Sequence, residues 1–187
     1  MGKSVLAVQI ADEVSKSIPT LYVDLEMSDK QFQRRYTDEE TGEMYIFEEN
    51  LYRAHFSSDN NEPNQKLSYE DALIQELERY IITYGILCII LDNMSVIYKG
   101  DTDKSKYIAP FITKLKQFAQ SNNLTLILID HTKKRNHYSP MEIEDLNGSK
   151  MKANLVDDII CIGGSCQGKN IRYIKRLKVK PVVHLDK

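Results

Sequence analysis

Ile86-Leu87-Cys88-Ile89-Ile90-Leu91-Asp92 runs through six apolar side chains without a polar interruption and closes on an acid. A strand with one wet face alternates polar and apolar residues. One buried on both faces does not, and strands of that kind belong to parallel sheets covered by helices. Leu124-Thr125-Leu126-Ile127-Leu128-Ile129-Asp130 has the same character, ends on another acid and is followed by His131. Between the two runs, Tyr107, Ile108, Phe111, Ile112, Leu115, Phe118 and Ala119 recur at helical spacing, with Asn122-Asn123 as a stop. Pro110 is expected to kink that helix or delay its start. A strand, a crossover helix and a second buried strand make one unit of a parallel sheet.

The same alternation extends outward. Ser68-Tyr69-Glu70-Asp71 has the form of a capping-box start, Ala72, Leu73, Leu77, Tyr80 and Ile81 carry an amphipathic helix, and Gly85 closes it. Leu6, Ala7, Ile10, Ala11 and Val14 mark a helix over residues 4 to 16. Pro19 ends it, and Thr20 to Leu25 is a short β-rich run. Ser28 is a good N-cap for a helix from Asp29 to Tyr36 carrying Phe32. Residues 37 to 67 are the least patterned, with one strand expected at Leu51 to Phe56 and a polar, flexible loop from Ser57 to Lys66. Tyr98 to Lys106 reads as a second polar loop, and residues 132 to 150 as a third, basic and then acidic. Asp158 to Ile162 and Ile171 to Lys178 read as strands around a Gly163-Gly164 turn, with a last short strand at Pro181 to Leu185. Strand and helix thus alternate four times, and the fold class is α/β with a mostly parallel sheet, flanking helices and C-terminal antiparallel strands.

A chain of 187 residues, 42% hydrophobic and 28% charged, suffices for one core, and a single domain over residues 1–187 is expected. The net charge of −2 supplies no general attraction for nucleic acid, so any such contact needs a local basic patch or a symmetric assembly. Three cysteines cannot all pair within one chain, and Cys88 and Cys161 lie in apolar runs where a thiol packs as a small hydrophobe. With no secretory signal, that composition fits a reducing cytoplasm. No run of 18 apolar residues is present to span a membrane. His55, His137, His184 and the cysteines show no metal-ligand spacing.

In open α/β sheets, ligands gather at the carboxyl ends of the strands. Glu26, Asp92 and His131 stand at three such ends. Met1-Gly2-Lys3-Ser4 matches the back half of G-x-x-x-x-G-K-[ST], in which amides cradle phosphates, the lysine reaches the β/γ-phosphates and the hydroxyl ligates magnesium at a helix N-terminus. Asp92 has the form of a Walker B acid, placed to hold magnesium, although a solvated strand end has the same form. Glu26 fits a general base near a γ-phosphate, against the plainer reading of an acid at a helix entrance. His131 fits a γ-phosphate sensor or a merely exposed histidine. Lys133-Lys134-Arg135 fits a contact to phosphodiester backbone or a solvated basic loop.

Together these residues resemble the RecA-like motor domain of DnaB-type replicative helicases and, more closely, the small hexameric plasmid-replication helicases and their AAA-ATPase relatives in mobile elements. Leu25-Glu26-Met27-Ser28 resembles that family's Leu-Glu-Met-Ser segment, whose glutamate is the catalytic base. Leu87 to Asp92 resembles its Walker B strand, and His131-Thr132-Lys133-Lys134 its sensor segment. Asp145-Leu146-Asn147-Gly148-Ser149, leading into Asp157-Asp158, is similar to a segment of the helicase-like members. The resemblance implies ATP and Mg2+ as ligands, with Gly2, Lys3, Ser4 and Asp92 binding them and Glu26 and His131 acting in catalysis. It also implies single-stranded DNA held by Lys133, Lys134 and Arg135 in the channel of a hexameric ring.

The family carries a Lys-x-Arg pair whose arginine reaches the neighbouring subunit's γ-phosphate. The matching residues here are Lys175, Arg176, Lys178 and Lys180, and if Lys178-Val179-Lys180 is the pair, a lysine without the bidentate fork replaces the arginine. Family members also begin upstream, with a strand before the phosphate loop. The resemblance therefore implies a chain truncated within Walker A, lacking its first strand, whose remaining strands need a substitute or form a split sheet. Two other readings stand beside the motor. One is a nucleotide-responsive regulatory or assembly module without helicase activity, and the other an inert truncated fragment.

Overall fold

A computed structural model describes residues 2–56, 68–97, 104–133, 139–146, 149–168 and 170–180, and the side chains of 104–107 and 149–150 are not among those described. The loop expected at 57–66, most of that at 98–106, and the last strand lie outside these residues. The chain divides into two compact units, residues 1–100 with 115–130 and residues 101–114 with 131–187.

In the first unit, α1 (Lys3–Ser15) leads into β1 (Thr20–Asp24), followed by α2 (Asp29–Arg35), β2 (Leu51–His55), α3 (Tyr69–Tyr84), β3 (Cys88–Asp92) and the short α4 (Met94–Ile97). The C-terminal part of α5 (Lys104–Ser121) and β4 (Thr125–Leu128) complete it. Local chemistry sets the helix ends. Ser28 caps α2 in a capping box closed by Gln31, and Ser68 caps α3 by accepting from the Asp71 amide. Gly85 ends α3 in the left-handed region at φ 64°, where a side chain would be strained. α5 starts earlier than its apolar pattern does, with Pro110 inside it rather than delaying it. Asn123, at φ 52°, follows its end.

The strands form one parallel sheet in the order β2-β1-β3-β4, and β1 pairs directly with both β2 and β3, so no substitute strand stands between them. Every residue of β1 and β3 is buried, as the unbroken apolar run of β3 requires, and in β1 the burial includes the polar Thr20 and Asp24. Each fully buried Leu or Ile contributes about 1.5–3 kcal/mol over an exposed one. Ala7, Val8 and Ala11 of α1 pack in one core cluster with Tyr22, Phe32, Cys88 and Ile90. The small side chains let the helix lie close to the sheet. Cys88 and Cys161 are buried free thiols, and Cys166 is exposed.

α1 runs antiparallel to the strands it covers. Toward its C-terminus, the buried Asp12 accepts the Tyr45 hydroxyl (2.7 Å) and the Glu48 amide (2.9 Å), just ahead of β2. The Thr20 amide at the start of β1 donates to the Asn50 carbonyl beside it. The opposite end of α1, with Lys3 and Ser4, is therefore directed toward the carboxyl ends of the strands.

The second unit holds the N-terminal part of α5, a 3-10 turn (Ile143–Asp145), α6 (Ser149–Leu155), and the antiparallel pair β5 (Ile159–Gly164) and β6 (Arg172–Lys178). Gly163 and Gly164 are not the turn expected from sequence. They extend β5, with Gly164 opposite Arg172, and the reversal lies beyond them. Gly163 is needed where it stands because a Cβ there would meet the Tyr173 ring at 2.2–2.4 Å. Among the described residues, no helix is long and apolar enough to cross a membrane.

Candidate functional site

The parallel register sets Asp24 at the end of β1 opposite Asp92 at the end of β3, and both carboxylates are almost wholly buried, at 1% and 2% exposure. Burying a carboxylate is costly unless donors surround it. Asp24 is well supplied. Its Oδ1 accepts the amides of Glu26 (3.1 Å) and Met27 (2.8 Å), and its Oδ2 accepts from the Arg53 guanidinium (3.1 Å). Asp92 is not. Tyr22 donates its hydroxyl to Oδ2 at 2.7 Å, while Oδ1 is buried without a hydrogen-bond partner among the described residues. Burial first, and then the bond to Asp92, pushes the Tyr22 phenol far above its ordinary pKa, so it remains a donor.

Glu26 follows β1 in an irregular turn, exposed, and is brought to Asp92 through the residue that follows β3. Asn93 is buried and donates Nδ2 to Oε1 of Glu26 at 2.5 Å. The orientation of that amide is fixed from behind. Its Oδ1 accepts the Ser95 amide at 2.9 Å and also the Ser95 hydroxyl. The Leu25 amide donates to the Asp92 carbonyl at 2.7 Å, so the backbones that carry the two acids are joined directly.

Lys3 and Ser4 open α1, and Gly2 before them is in the left-handed region at φ 111°. A thirteen-residue helix directs its first amides and the positive end of its dipole toward the strand ends. The residues present fit a divalent cation: the orphaned Asp92 oxygen lacks the partner that a buried carboxylate needs. Leaving it unsatisfied costs on the order of 1–3 kcal/mol, which a cation beside it would offset.

The remaining expected residues lie in the second unit. His131 is exposed and follows β4 by three residues. Lys133 donates its amide to the Asp145 carbonyl (2.9 Å) and its ammonium to the Glu144 carbonyl (3.4 Å). Lys134 and Arg135 lie outside the described residues. Each finger candidate has a partner within its own unit. Lys175 donates to the Met141 carbonyl, Arg176 pairs with Asp158 at 2.7 Å, and Lys180 pairs with Asp157 at 3.1 Å. Lys178 is half-buried, and its ammonium donates to the Ala153 and Val156 carbonyls at the end of α6. The Arg176 side chain is 56% exposed and lies opposite Ile160 on β5.

Sequence reasoning named Glu26 and Asp92 but missed Tyr22, Asp24, Arg53 and Asn93. Asn93 was the most accessible, being the next residue after the Walker B-like acid. Tyr22 and Asp24 carried a weaker signal, two polar-capable residues at strand period in a run that is otherwise apolar.

A protein-family model described as "AAA domain" matches residues 1–137. Among curated proteins, the DNA helicase/primase of Enterobacteria phage T3 is 31% identical over 120 residues, covering 59% of this chain and 21% of the relative. The chain thus spans about a fifth of the length of that relative.

Proposed function

The chain belongs to the AAA domain family, as a RecA-like P-loop ATPase of helicase type, and from that premise we propose that it hydrolyses ATP and couples hydrolysis to movement on single-stranded DNA in replication or mobilisation. The observation that carries the proposal is the buried Asp92 with one unpartnered oxygen, adjacent to an exposed glutamate held by Asn93, at the strand ends toward which Lys3 and Ser4 are directed.

The Gly2 and Lys3 backbone and the Lys3 ammonium bind the phosphates of ATP, and Ser4 and Asp92 hold Mg2+. Magnesium, when bound, neutralises charge on the phosphates. Tyr22 holds one Asp92 oxygen in place so that the other is presented to the cation. Glu26 takes the proton of the attacking water, and Asn93 keeps its carboxylate oriented for that task. His131 senses the γ-phosphate. Lys133, Lys134 and Arg135 contact the phosphodiester backbone, an electrostatic interaction that weakens with salt. Both units act as one ATPase domain, self-associating into a ring in which Arg176, the exposed arginine among the finger candidates, reaches the neighbouring site.

A second reading is favoured by Lys178, whose charge is taken up by carbonyls of its own unit. A nucleotide-responsive assembly module would need no trans-acting finger at that position. Hydrolysis of magnesium-ATP with and without single-stranded DNA separates the two. Turnover stimulated by DNA is the expected result. Nucleotide binding without DNA stimulation would select the module, and absence of binding would overturn both.

A further inference from the structure

The turn that carries Glu26, Leu25 to Ser28, has no regular secondary structure, yet it is held from both sides by one side chain of the neighbouring strand. Arg53 projects from β2, where it pairs with Tyr22. One guanidinium nitrogen donates to Asp24 Oδ2 (3.1 Å) and to the Met27 carbonyl (3.2 Å), and the other donates to Asp29 Oδ1 (2.6 Å). Its carbon lies 4.2 Å from the centroid of the Phe32 ring, a cation–π contact that supports the plane from α2. Asp24 completes the arrangement, because the oxygen not used by Arg53 accepts the amides of Glu26 and Met27. The guanidinium therefore touches the residue before the turn, a carbonyl within it and the first residue of the helix after it.

We propose that Arg53 is a positioning residue for Glu26, clamping the Leu25–Ser28 turn through Asp24, the Met27 carbonyl and Asp29 so that the general base is held in place before ATP arrives. This rests on the function proposed above for Glu26. A base in an unsupported turn would sample many positions, and small misplacements of a reacting group lower rate far more than affinity. Lysine cannot substitute fully, since its compact ammonium lacks the planar fork that spans Asp24, the Met27 carbonyl and Asp29 while lying against the Phe32 ring. The clamp is electrostatically engaged: the hydrogen bond from Arg53, and then its charge, hold the Asp29 carboxyl below its ordinary range.

The test compares the parent protein with Arg53→Ala, Arg53→Lys and Asp29→Asn. It reads kcat and KM for magnesium-ATP together with hydrogen exchange at the Glu26 and Met27 amides. Arg53→Ala is expected to lower kcat by about tenfold or more, to change KM by less than about threefold, and to speed exchange at the two amides while β1 and β3 stay protected. Arg53→Lys should recover part of both effects. Asp29→Asn removes only the exposed end of the clamp and keeps the test open if Arg53→Ala does not fold. It should move both readouts in the same direction by about threefold. Unchanged exchange and kcat would overturn the proposal, as would a loss of kcat accompanied by lost protection across β1 and β3. If the parent does not hydrolyse ATP, the proposed function fails, and the exchange measurement still decides whether the clamp exists.

Discussion

The Tyr22 hydroxyl donates to Oδ2 of Asp92 across 2.7 Å, joining side chains 70 residues apart in sequence on adjacent strands. Replacing Tyr22 by Phe removes the single donor, among the described residues, to a buried carboxylate and fills nearly the same space. The expected cost is about 1–3 kcal/mol of stability at pH 7, measured by denaturant unfolding. The pH dependence carries its own signature. The phenol is held protonated in the folded chain, while in the unfolded chain it ionises near pH 10. Its contribution is therefore complete below about pH 10 and declines as pH rises further, because only the unfolded state releases the proton. Tyr22→Phe should lack that part of the alkaline decline.

Glu26→Gln keeps the shape of the side chain and removes its basicity. Turnover of ATP should fall by about 10²–10⁴-fold, with nucleotide binding retained in a direct titration. Asn93→Ala leaves the base but frees it, so a smaller loss is expected, about tenfold in kcat with little change in KM. Equal turnover in Glu26→Gln and the parent would remove Glu26 from its assigned role.

Lys178→Met separates a structural from a trans-acting role. The ammonium satisfies carbonyls of Ala153 and Val156 at 2.6 and 2.7 Å, groups that the end of α6 leaves open. The substitution should cost about 1–3 kcal/mol in unfolding, with any loss of turnover following the loss of folded protein. A fall in turnover at unchanged stability would instead assign Lys178 to a neighbour's phosphate.

Gly163→Ala and Gly164→Ala test adjacent positions with opposite expectations. At Gly163 the new methyl would press on Tyr173, whose hydroxyl is tied to the Met141 amide at 2.9 Å and so resists displacement. A loss of about 1–3 kcal/mol is expected. At Gly164 nothing lies within 4 Å, and the change should stay within about 0.5 kcal/mol. Denaturant midpoints of the two variants give the comparison directly.

The parts of this fold legible in the sequence are those in which local pattern and final environment agree. Residues 88–92 look like a doubly buried strand because they are one, although the run that announces it starts two residues early, with Leu87 exposed, and Ser28, Ser68 and Gly85 end helices by chemistry contained within a few residues. Glu26 and Asp92 were readable for the same reason, as acids at the ends of apolar runs. Residues 37–50 were opaque because what holds them is remote: Tyr45 and Glu48 bond to Asp12 of α1, more than 30 residues away. Arg53 was likewise invisible, since nothing beside it in sequence reveals that its partners are Asp24, Met27 and Asp29. The Gly163-Gly164 pair misled through composition. Glycines mark turns by their freedom, but here Gly163 makes room for an aromatic ring.

The parallel order β2-β1-β3-β4 also dictates when the site can come into being during synthesis. β1 gains its first neighbour when β2 emerges, but its second, β3, ends only at Asp92. Until then the Tyr22 hydroxyl has no acid to bond, and the segment bearing Glu26 has only the Arg53 side of its support. A nascent chain released before β3 leaves the ribosome would carry an intact Glu26 turn beside an uncovered apolar strand. Pairing across such sequence distances carries a loop-closure cost that local contacts do not, and until residue 92 is made one edge of the apolar β1 strand lacks its β3 neighbour.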